Sequence, residues 1–478
     1  MSPQPDSAPN WASFRDPGGV VVATNTRILR AVRPSALAPL EAFLSSAFGR
    51  DVIAQGRFVA TTRLGAVPPE ARLNPVCSEP ATWFEHERIA VPTFPFEWSP
   101  RMLHAAARLT LALAIEALPH GFGLKDATPD NVLFRGPNPV FVDALSLELR
   151  DPHDPTWLPY AQFVRTFLLP LLANRAFGLP LHQMLLAHRE GLTPEQVYRL
   201  CNWSRRVRPP YLTLVTIPSL LNSRADRVRG LYTPRRESSA PKAQFMLKAT
   251  LTRLDRTLGR VAPDPPSSAW SMYETEHDAN YVERKTSAVA SVLARWPRTM
   301  VLDVGCNTGD FSILAARTGA TVVALDADPA VVDVLWQRAR ETPLDIQPLV
   351  GNLAAPTPAT GWMNRERPSL LARLHERFDA VFALAVVHHL LATERVPLDD
   401  VITLIATLTT DMAVVEFVSP QDDWFRRLSR GRDDLYRHLT SELFEDRARR
   451  RFDVMERVTL IEQRRWLYVL RIRGARSC

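Results

Sequence analysis

The residues with the clearest chemical spacing are Asp303, Gly305 and Gly309, in the run Met300-Val301-Leu302-Asp303-Val304-Gly305-Cys306-Asn307-Thr308-Gly309. An apolar strand that enters a glycine-bounded loop and then a helix lets the backbone turn sharply and approach a ligand with no Cβ in the way. A second apolar strand, Thr321 to Leu325, ends in Asp326. An acid at the tip of the second strand of such a unit can accept hydrogen bonds from both hydroxyls of a ribose. Position 307 is Asn and position 310 is Asp, so the G-x-G-x-x-G track that accommodates a pyrophosphate is absent, and there is no Walker lysine. The chemistry implied is capture of a nucleoside.

This pattern resembles the class I S-adenosylmethionine (SAM) dependent methyltransferases, whose first motif is a strand followed by D-x-G-x-x-x-G, with an acid closing the second strand. The resemblance runs from about Trp270 to Cys478. It implies that Asp303 and the loop Gly305, Cys306, Asn307, Thr308 and Gly309 face the methionine part of SAM, and that Asp326, followed by Ala327, holds the ribose. Leu349-Val350-Gly351-Asn352-Leu353 looks like the third strand and its exit, where Asn352 would stand in for the family's acid beside the adenine, accepting through its carbonyl oxygen, with Leu353 next to it. Phe378 to Leu390 looks like the fourth strand and its turn, which would bring Leu384 near the sulfonium. Upstream, Trp270, Tyr273, Tyr281 and Lys285 lie on a helical lead-in of the kind that covers SAM. Tyr273 and Lys285 are its expected cofactor contacts, and aromatic packing is the other reading.

Methyl transfer from a sulfonium is an in-line displacement with a neutral leaving group, so alignment supplies much of the catalysis. A general base is needed only where the acceptor must lose a proton early. The candidates are His388, His389 and Glu416, the last near the end of a fifth strand, Met412 to Val418. Adjacent histidines on one turn cannot both face a cleft, which argues against a shared metal. Cys306 reads as a small loop filler. Ser419 to Arg451 carries Trp424, Phe425, Tyr436 and Phe444 among many charges, as either an acceptor-binding lid or amphipathic helices with aromatics in the core.

A second constellation lies earlier. Gly123-Leu124-Lys125-Asp126-Ala127-Thr128-Pro129-Asp130-Asn131, followed by Pro139-Val140-Phe141-Val142-Asp143, resembles the catalytic and metal-binding loops of kinases. Asp126, Asn131 and Asp143 supply the oxygens that ATP-magnesium chemistry needs. No lysine precedes Lys125 and no glycine-rich phosphate loop appears. The segment therefore reads first as a non-catalytic kinase-like scaffold, with nucleotide binding or coincidence as alternatives. The whole chain is similar to a bacterial family, some of whose members are nodulation-related methyltransferases, that joins this signature to a SAM domain after a run like Phe94-Pro95-Phe96-Glu97-Trp98.

The elements that must position these residues follow from length and pattern. At 478 residues two or three domains are expected. A polar tail (1–18) precedes an α+β kinase-like domain (19–233), with short strands at Gly19 to Ala23 and Phe58 to Leu64 and a helix at Pro100 to Leu118. A connector (234–268) contains an amphipathic helix, Ala243 to Leu258. Helix and strand signals then alternate through 269–478, which predicts an α/β, Rossmann-like, seven-stranded methyltransferase domain closed by Val454 to Ile461 and Trp466 to Ile472.

The net charge is +7, yet only four of 58 basic residues are lysine: Lys125, Lys242, Lys248 and Lys285. With 40 prolines, the skew looks like the coding bias of a GC-rich genome, so basicity argues little for a nucleic-acid partner. Cys77, Cys201, Cys306 and Cys478 have no zinc-like spacing, and no run of 18 apolar residues or leader pattern occurs. The expectation is a cytoplasmic protein with no structural metal and no membrane span. Its activity would be methyl transfer to an unidentified small molecule, glycolipid, sugar or protein. The alternatives are a kinase-like protein with a SAM-sensing domain and an RNA methyltransferase.

Overall fold

The computed structural model describes residues 10–13, 15–24, 26–69, 81–225, 236–265 and 278–474. The chain divides into two units. One comprises Met1–Phe134, Pro139–Asp264 and Thr360–Arg367, and the other Arg135–Asn138, Pro265–Ala359 and Pro368–Cys478. Trp270, Tyr273, Cys77 and Cys478 lie outside the described residues.

The first unit is α+β. Its five-stranded sheet has the order β1-β2-β3-β5-β4, from β1 (Asn10–Ser13), β2 (Gly19–Ala23), β3 (Ile28–Val32), β4 (Thr61–Arg63) and β5 (Thr82–His86), each pairing antiparallel. The first of these lies inside the polar tail, because an edge strand forms through backbone hydrogen bonds and needs no apolar run of its own. Phe58 to Leu64, expected as one strand, is extended only over β4, and Phe58 makes an isolated bridge to Phe141. Two short pairs follow: β6 (Phe122–Leu124) with β9 (Leu147–Leu149), and the hairpin β7 (Val132–Arg135) with β8 (Asn138–Phe141).

Helix Pro100–Ala117 begins with Pro100 in its first turn and Ser99 accepting from the Met102 N–H, a favourable start because proline has no donor to lose there. With the turn to His120 it is, among the described residues, the one helix long and apolar enough to cross a membrane. Met102, Leu103, Leu109, Leu111 and Leu113 are buried within the protein. The helix expected in the connector is Ala240–Arg260, and it belongs to the first unit. Ala243, Leu247, Leu251, Leu254 and Leu258 form one buried stripe at three- and four-residue spacing. It packs on Pro100–Ala117, with Arg108 Nη1 3.1 Å from Asp255 Oδ1. Each leucine so buried stabilises by about 2 kcal/mol relative to exposure.

The second unit is the Rossmann-like domain. Its strands are β10 (Met300–Val304), β11 (Thr321–Asp326), β12 (Ile346–Val350), β13 (Phe378–Ala383), β14 (Thr409–Val418), β15 (Phe452–Ile461) and β16 (Arg465–Ile472), in the order β12-β11-β10-β13-β14-β16-β15. The strands from β10 to β14 run parallel, and β16 is antiparallel to both neighbours. The central strands are mainly apolar and buried because helices cover both faces, with Asp303 and Glu416 as buried acids among them. Order reverses between β11 and β13 on either side of β10, which places the switch point at the carboxyl end of β10. The third strand ends at Val350, within the segment expected to hold its end and exit. A Cβ on Gly351 would come 2.6 Å from Leu325 Cδ1, and the Gly351 N–H bonds the Asp326 carbonyl at 2.8 Å, turning the chain before Asn352.

Candidate functional site

At the end of β10 the chain folds back on β11: the N–H groups of Gly305 and Cys306 both bond the Leu325 carbonyl, at 2.8 and 3.1 Å. Gly305 and Gly309 have φ of 69° and 90°, and Asn307 is also left-handed at 47°. A Cβ on Gly309 would fall 2.1 Å from Leu335 Cδ1, so only glycine meets both demands there. A Cβ on Gly305 would sit 3.2 Å from Val386 Cγ2, so the loop after β10 and the turn after β13 approach closely. Arg338 fastens the loop, donating to the Thr308 carbonyl at 2.8 Å and pairing with Asp310 at 2.8 Å.

Asp326 receives the Asn307 N–H on one oxygen at 3.0 Å and the Asp328 N–H on the other at 2.9 Å. Burial pushes its carboxyl above the usual range against those hydrogen bonds. Asp303 is buried beneath the loop, accepts from Ser312 Oγ at 2.6 Å, and burial raises it to about 6. Cys306 is buried and its thiol is pushed up by burial and then by the nearby aspartates, which keeps it protonated and fits a loop filler. Ala327 is exposed, Leu353 is half-buried and Leu384 is buried just past β13. Asn352 Oδ1 accepts the Ala354 N–H at 2.8 Å, so one lone pair of the oxygen expected to meet adenine is already used within its own turn.

The three candidate bases separate. Residue 387 starts a short helix, Val387–Ala392, in which His388 is buried and His389 half-buried, with ring centroids 4.4 Å apart. Burial lowers His389 below the usual imidazole range, so it is neutral at neutral pH. Glu416 differs from its expectation as a substrate contact. It has 0% exposure, Tyr281 donates to its Oε1 at 2.7 Å, Lys285 Nζ lies 2.7 Å from its Oε2 and Arg465 Nη1 lies 3.8 Å from Oε1. Burial pushes Glu416 up, and the Lys285 and Arg465 charges outweigh it and leave the carboxyl below its ordinary range. Lys285, expected as a cofactor contact, is the buried partner of this acid. Helix Ala279–Arg295 presents Tyr281 and Lys285 four residues apart on its buried stripe.

Sequence reasoning missed Arg465 and Asp422, which form a forked pair at 2.8 and 2.9 Å behind Glu416. A charge opening an apolar strand was the one available signal. The aromatics of Ser419 to Arg451 divide. Phe425 and Phe444 are core residues, against Tyr436 and against Phe417 and Tyr468, while Tyr436 also reaches the Leu391 carbonyl at 3.3 Å. Helix Asp423–Ser429 packs on Val387–Ala392, so this segment lies over the histidine turn.

The first unit brings its signature together at the ends of β6, β7 and β8, but not as an open metal site. The Asp143 oxygens take Arg30 Nη1 at 2.9 Å, the Leu145 N–H at 3.3 Å and the Ser146 hydroxyl, and Asn131 Nδ2 turns to Ser146 Oγ at 3.3 Å. Burial would raise Asp143, and Arg30 outweighs it and holds the carboxyl below its usual range. Asp126 is raised by burial and then by Asp143. Lys125 is half-buried, its N–H on the Ser146 carbonyl at 2.8 Å. A divalent ion would have to displace a guanidinium, so this arrangement does not fit magnesium-nucleotide chemistry, and no step is derived through it. Arg30 was missed by sequence reasoning, although a charge inside the apolar run Ile28–Val32 was the signal. No group of three metal-ligating side chains occurs among the described residues.

An open sheet of this order, with a glycine-bounded loop after its first strand and an acid closing the second, defines a class I SAM-dependent methyltransferase domain. The methyltransferase domain family model matches residues 301–404, and the chain is a SAM-dependent methyltransferase of unspecified acceptor. The chain belongs to the family of nodulation protein NoeA of Rhizobium meliloti (strain 1021), to which it is 30% identical over 462 residues, 95% of this chain and 94% of that protein. It is 33% identical over 111 residues to ribosomal protein L11 methyltransferase of Herpetosiphon aurantiacus, covering 21% of this chain and 34% of that one. Among solved structures, it is similar to the N-methyltransferase NodS from Bradyrhizobium japonicum WM9, with 15% identity and a TM-score of 0.31 over 41% of this chain and 98% of that one. It is also similar to the bifunctional kinase-methyltransferase WbdD, with 20% identity and a TM-score of 0.27 over 40% of this chain and 38% of that one.

Proposed function

We propose that SAM is seated across the carboxyl ends of β10 to β13. Asp303 and the loop from Gly305 through Cys306, Asn307 and Thr308 to Gly309 face its methionine part, Asp326 and Ala327 its ribose, Asn352 and Leu353 its adenine, and Leu384 its sulfonium. The observation that carries this reading is Asp326. Its two oxygens are held at the end of β11 by N–H groups from two different turns, which fixes the carboxylate beside the glycine loop where a ribose would lie. His389, neutral by burial, is the group we assign to take a proton from the acceptor where one must be lost. Glu416 and Lys285 we assign to support of the seat instead of contact with substrate.

The acceptor we propose is a small molecule, a lipid-linked sugar or a protein, and residues 19–233 we read as a kinase-like domain without kinase chemistry. Calorimetry with SAM tests the seat. Asp326→Ala is expected to raise the Kd about 10- to 100-fold, the worth of hydrogen bonds to a charged group. An unchanged Kd removes the ribose assignment. Transfer of an isotopic methyl group from SAM into a host extract, followed by mass identification of the labelled product, identifies the acceptor.

A further inference from the structure

The stretch from Gln196 to Ala225 in the first unit holds five arginines and not one aspartate or glutamate. Its elements are helix Pro194–Leu200, the short turn Trp203–Arg206, and a π-type turn, Leu212–Thr216, that runs into helix Ile217–Ala225. These pieces pack on one another. Arg206 fastens the second to the first, lying 3.9 Å over the Tyr198 ring and donating to the Tyr198 carbonyl at 3.1 Å. The Thr216 hydroxyl donates in turn to the Arg206 carbonyl at 2.7 Å. Leu214 and Val215 are buried, which satisfies the inner side of the last element. Its outer side is apolar as well. Ile217, Leu220 and Leu221 follow the i, i+3, i+4 spacing of a core stripe, yet all three are exposed, the two leucines at 57% each. Trp203, at 79%, and Val207 form a second exposed pair four residues apart, and Leu200 is exposed just before them. Arg199 and Arg208, the chain neighbours of Leu200 and Val207, are exposed too.

We propose that this face docks on an anionic lipid bilayer, with the apolar side chains entering the acyl boundary and the arginines meeting the headgroups. The apolar helical run Leu212–Leu221 is about 15 Å long, about half of a bilayer's hydrocarbon core, so it suits lying in the interface and is too short to cross. Interfacial elements combine large apolar side chains with cations, and each cation near the surface adds attraction to anionic lipid. The absence of acids from Gln196 to Ala225 removes the repulsion that anionic headgroups would otherwise meet. A second copy of the chain is a poorer occupant, because a twofold contact sets the same acid-free, arginine-bearing patch against itself. A nucleic acid would engage the arginines through its phosphates and leave the leucines and isoleucine without an apolar partner. The docking surface is independent of the SAM seat.

Co-sedimentation of the whole chain with vesicles is the test, using phosphatidylcholine alone and phosphatidylcholine mixed with phosphatidylglycerol. The expected result is binding to the mixed vesicles only, falling as salt rises. Leu220→Ser/Leu221→Ser is expected to lower the partition about 10- to 100-fold, and Arg199→Gln/Arg208→Gln about 30-fold. Met455→Ser, at an exposed apolar position on β15, is the control and leaves binding unaltered. All of these side chains are exposed, so thermal melts of the variants match the wild type. No binding to the mixed vesicles, or binding that both patch variants leave intact, overturns the proposal. A dimer seen in sedimentation velocity without lipid and dissolved by Leu220→Ser/Leu221→Ser overturns it in favour of a second copy. Retention of RNA that is lost in Arg199→Gln/Arg208→Gln and kept in Leu220→Ser/Leu221→Ser overturns it in favour of a nucleic acid.

Discussion

Lys285 Nζ and Glu416 Oε2 meet at 2.7 Å with the carboxylate fully buried, tying the helix that precedes the first strand of the methyltransferase sheet to the fifth parallel strand. Neither residue reaches outward as a free functional group, although both stand where the sequence pattern invites a chemical role. Their pairing makes the lead-in helix part of the core, and that has energetic consequences.

Removing one member of a buried ion pair leaves the other charge desolvated and costs about 3–5 kcal/mol. Lys285→Met is therefore expected to lower unfolding stability by about that amount, and Lys285→Met/Glu416→Gln by clearly less, because both partners are then neutral. Denaturant unfolding of the wild type, Lys285→Met, Glu416→Gln and the double variant checks this. Additive losses would mean that the two side chains do not interact.

Asp303 carries the opposite sign from most carboxylates. Its folded value of about 6 lies above the ordinary 3.8, so the fold binds its proton more tightly than the unfolded chain does. Stability from this group is present below the ordinary value and is lost as pH rises to about 6, a cost of about 3 kcal/mol above it. Asp303→Asn keeps an acceptor for Ser312 and is expected to stabilise the free protein increasingly between pH 4 and 6, then by a constant amount. The same variant is expected to weaken SAM binding. Thermal melts across that range decide it, and a stability difference that does not vary with pH would contradict the assignment.

In the first unit, His86 is buried and its ring is lowered by burial, and then by Arg30, to about 3 from 6.5. Its stability contribution is complete above 6.5 and is lost as pH falls toward 3, about 2 kcal/mol by pH 5. His86→Gln removes the titrating group, so the wild-type loss between pH 6.5 and 5 is expected to shrink by that amount. Tryptophan fluorescence during urea unfolding at both pH values measures it.

Arg30 on Asp143 predicts that millimolar magnesium-ATP leaves the wild-type melting temperature unchanged, since the carboxylate oxygens are already engaged. Arg30→Met is expected to lose about 3–5 kcal/mol, and magnesium to restore part of that by taking the vacated place, with the rescue abolished by a chelator. A magnesium-ATP shift in the wild type that disappears in Asp143→Asn would reverse the reading.

Much of the second unit is legible in the sequence. The strand-loop-helix run from Met300, the acid at 326 and the alternation through β16 follow from local rules: apolar continuity marks a strand buried on both faces, and glycine marks positive φ. Where local rules compete, the sequence was less informative. Phe58 to Leu64 reads as one apolar strand, yet only Thr61–Arg63 pairs as a strand and Phe58 makes an isolated bridge to Phe141.

The chemical types at the site, an acid under a glycine loop and an acid at the next strand end, were determined by sequence alone because their spacing is set within one βαβ unit. Which charge meets which was decided only by the tertiary structure. Lys285 and Glu416 are 131 positions apart, Arg30 and Asp143 are 113 apart, and Arg465 and Asp422 are 43 apart. No local periodicity encodes such a pair, because burial and partner are properties of packed elements. The buried pairing of Glu416 with Lys285 was therefore invisible in the sequence, whereas the places of Asp303 beneath the loop and Asp326 at the next strand end were not.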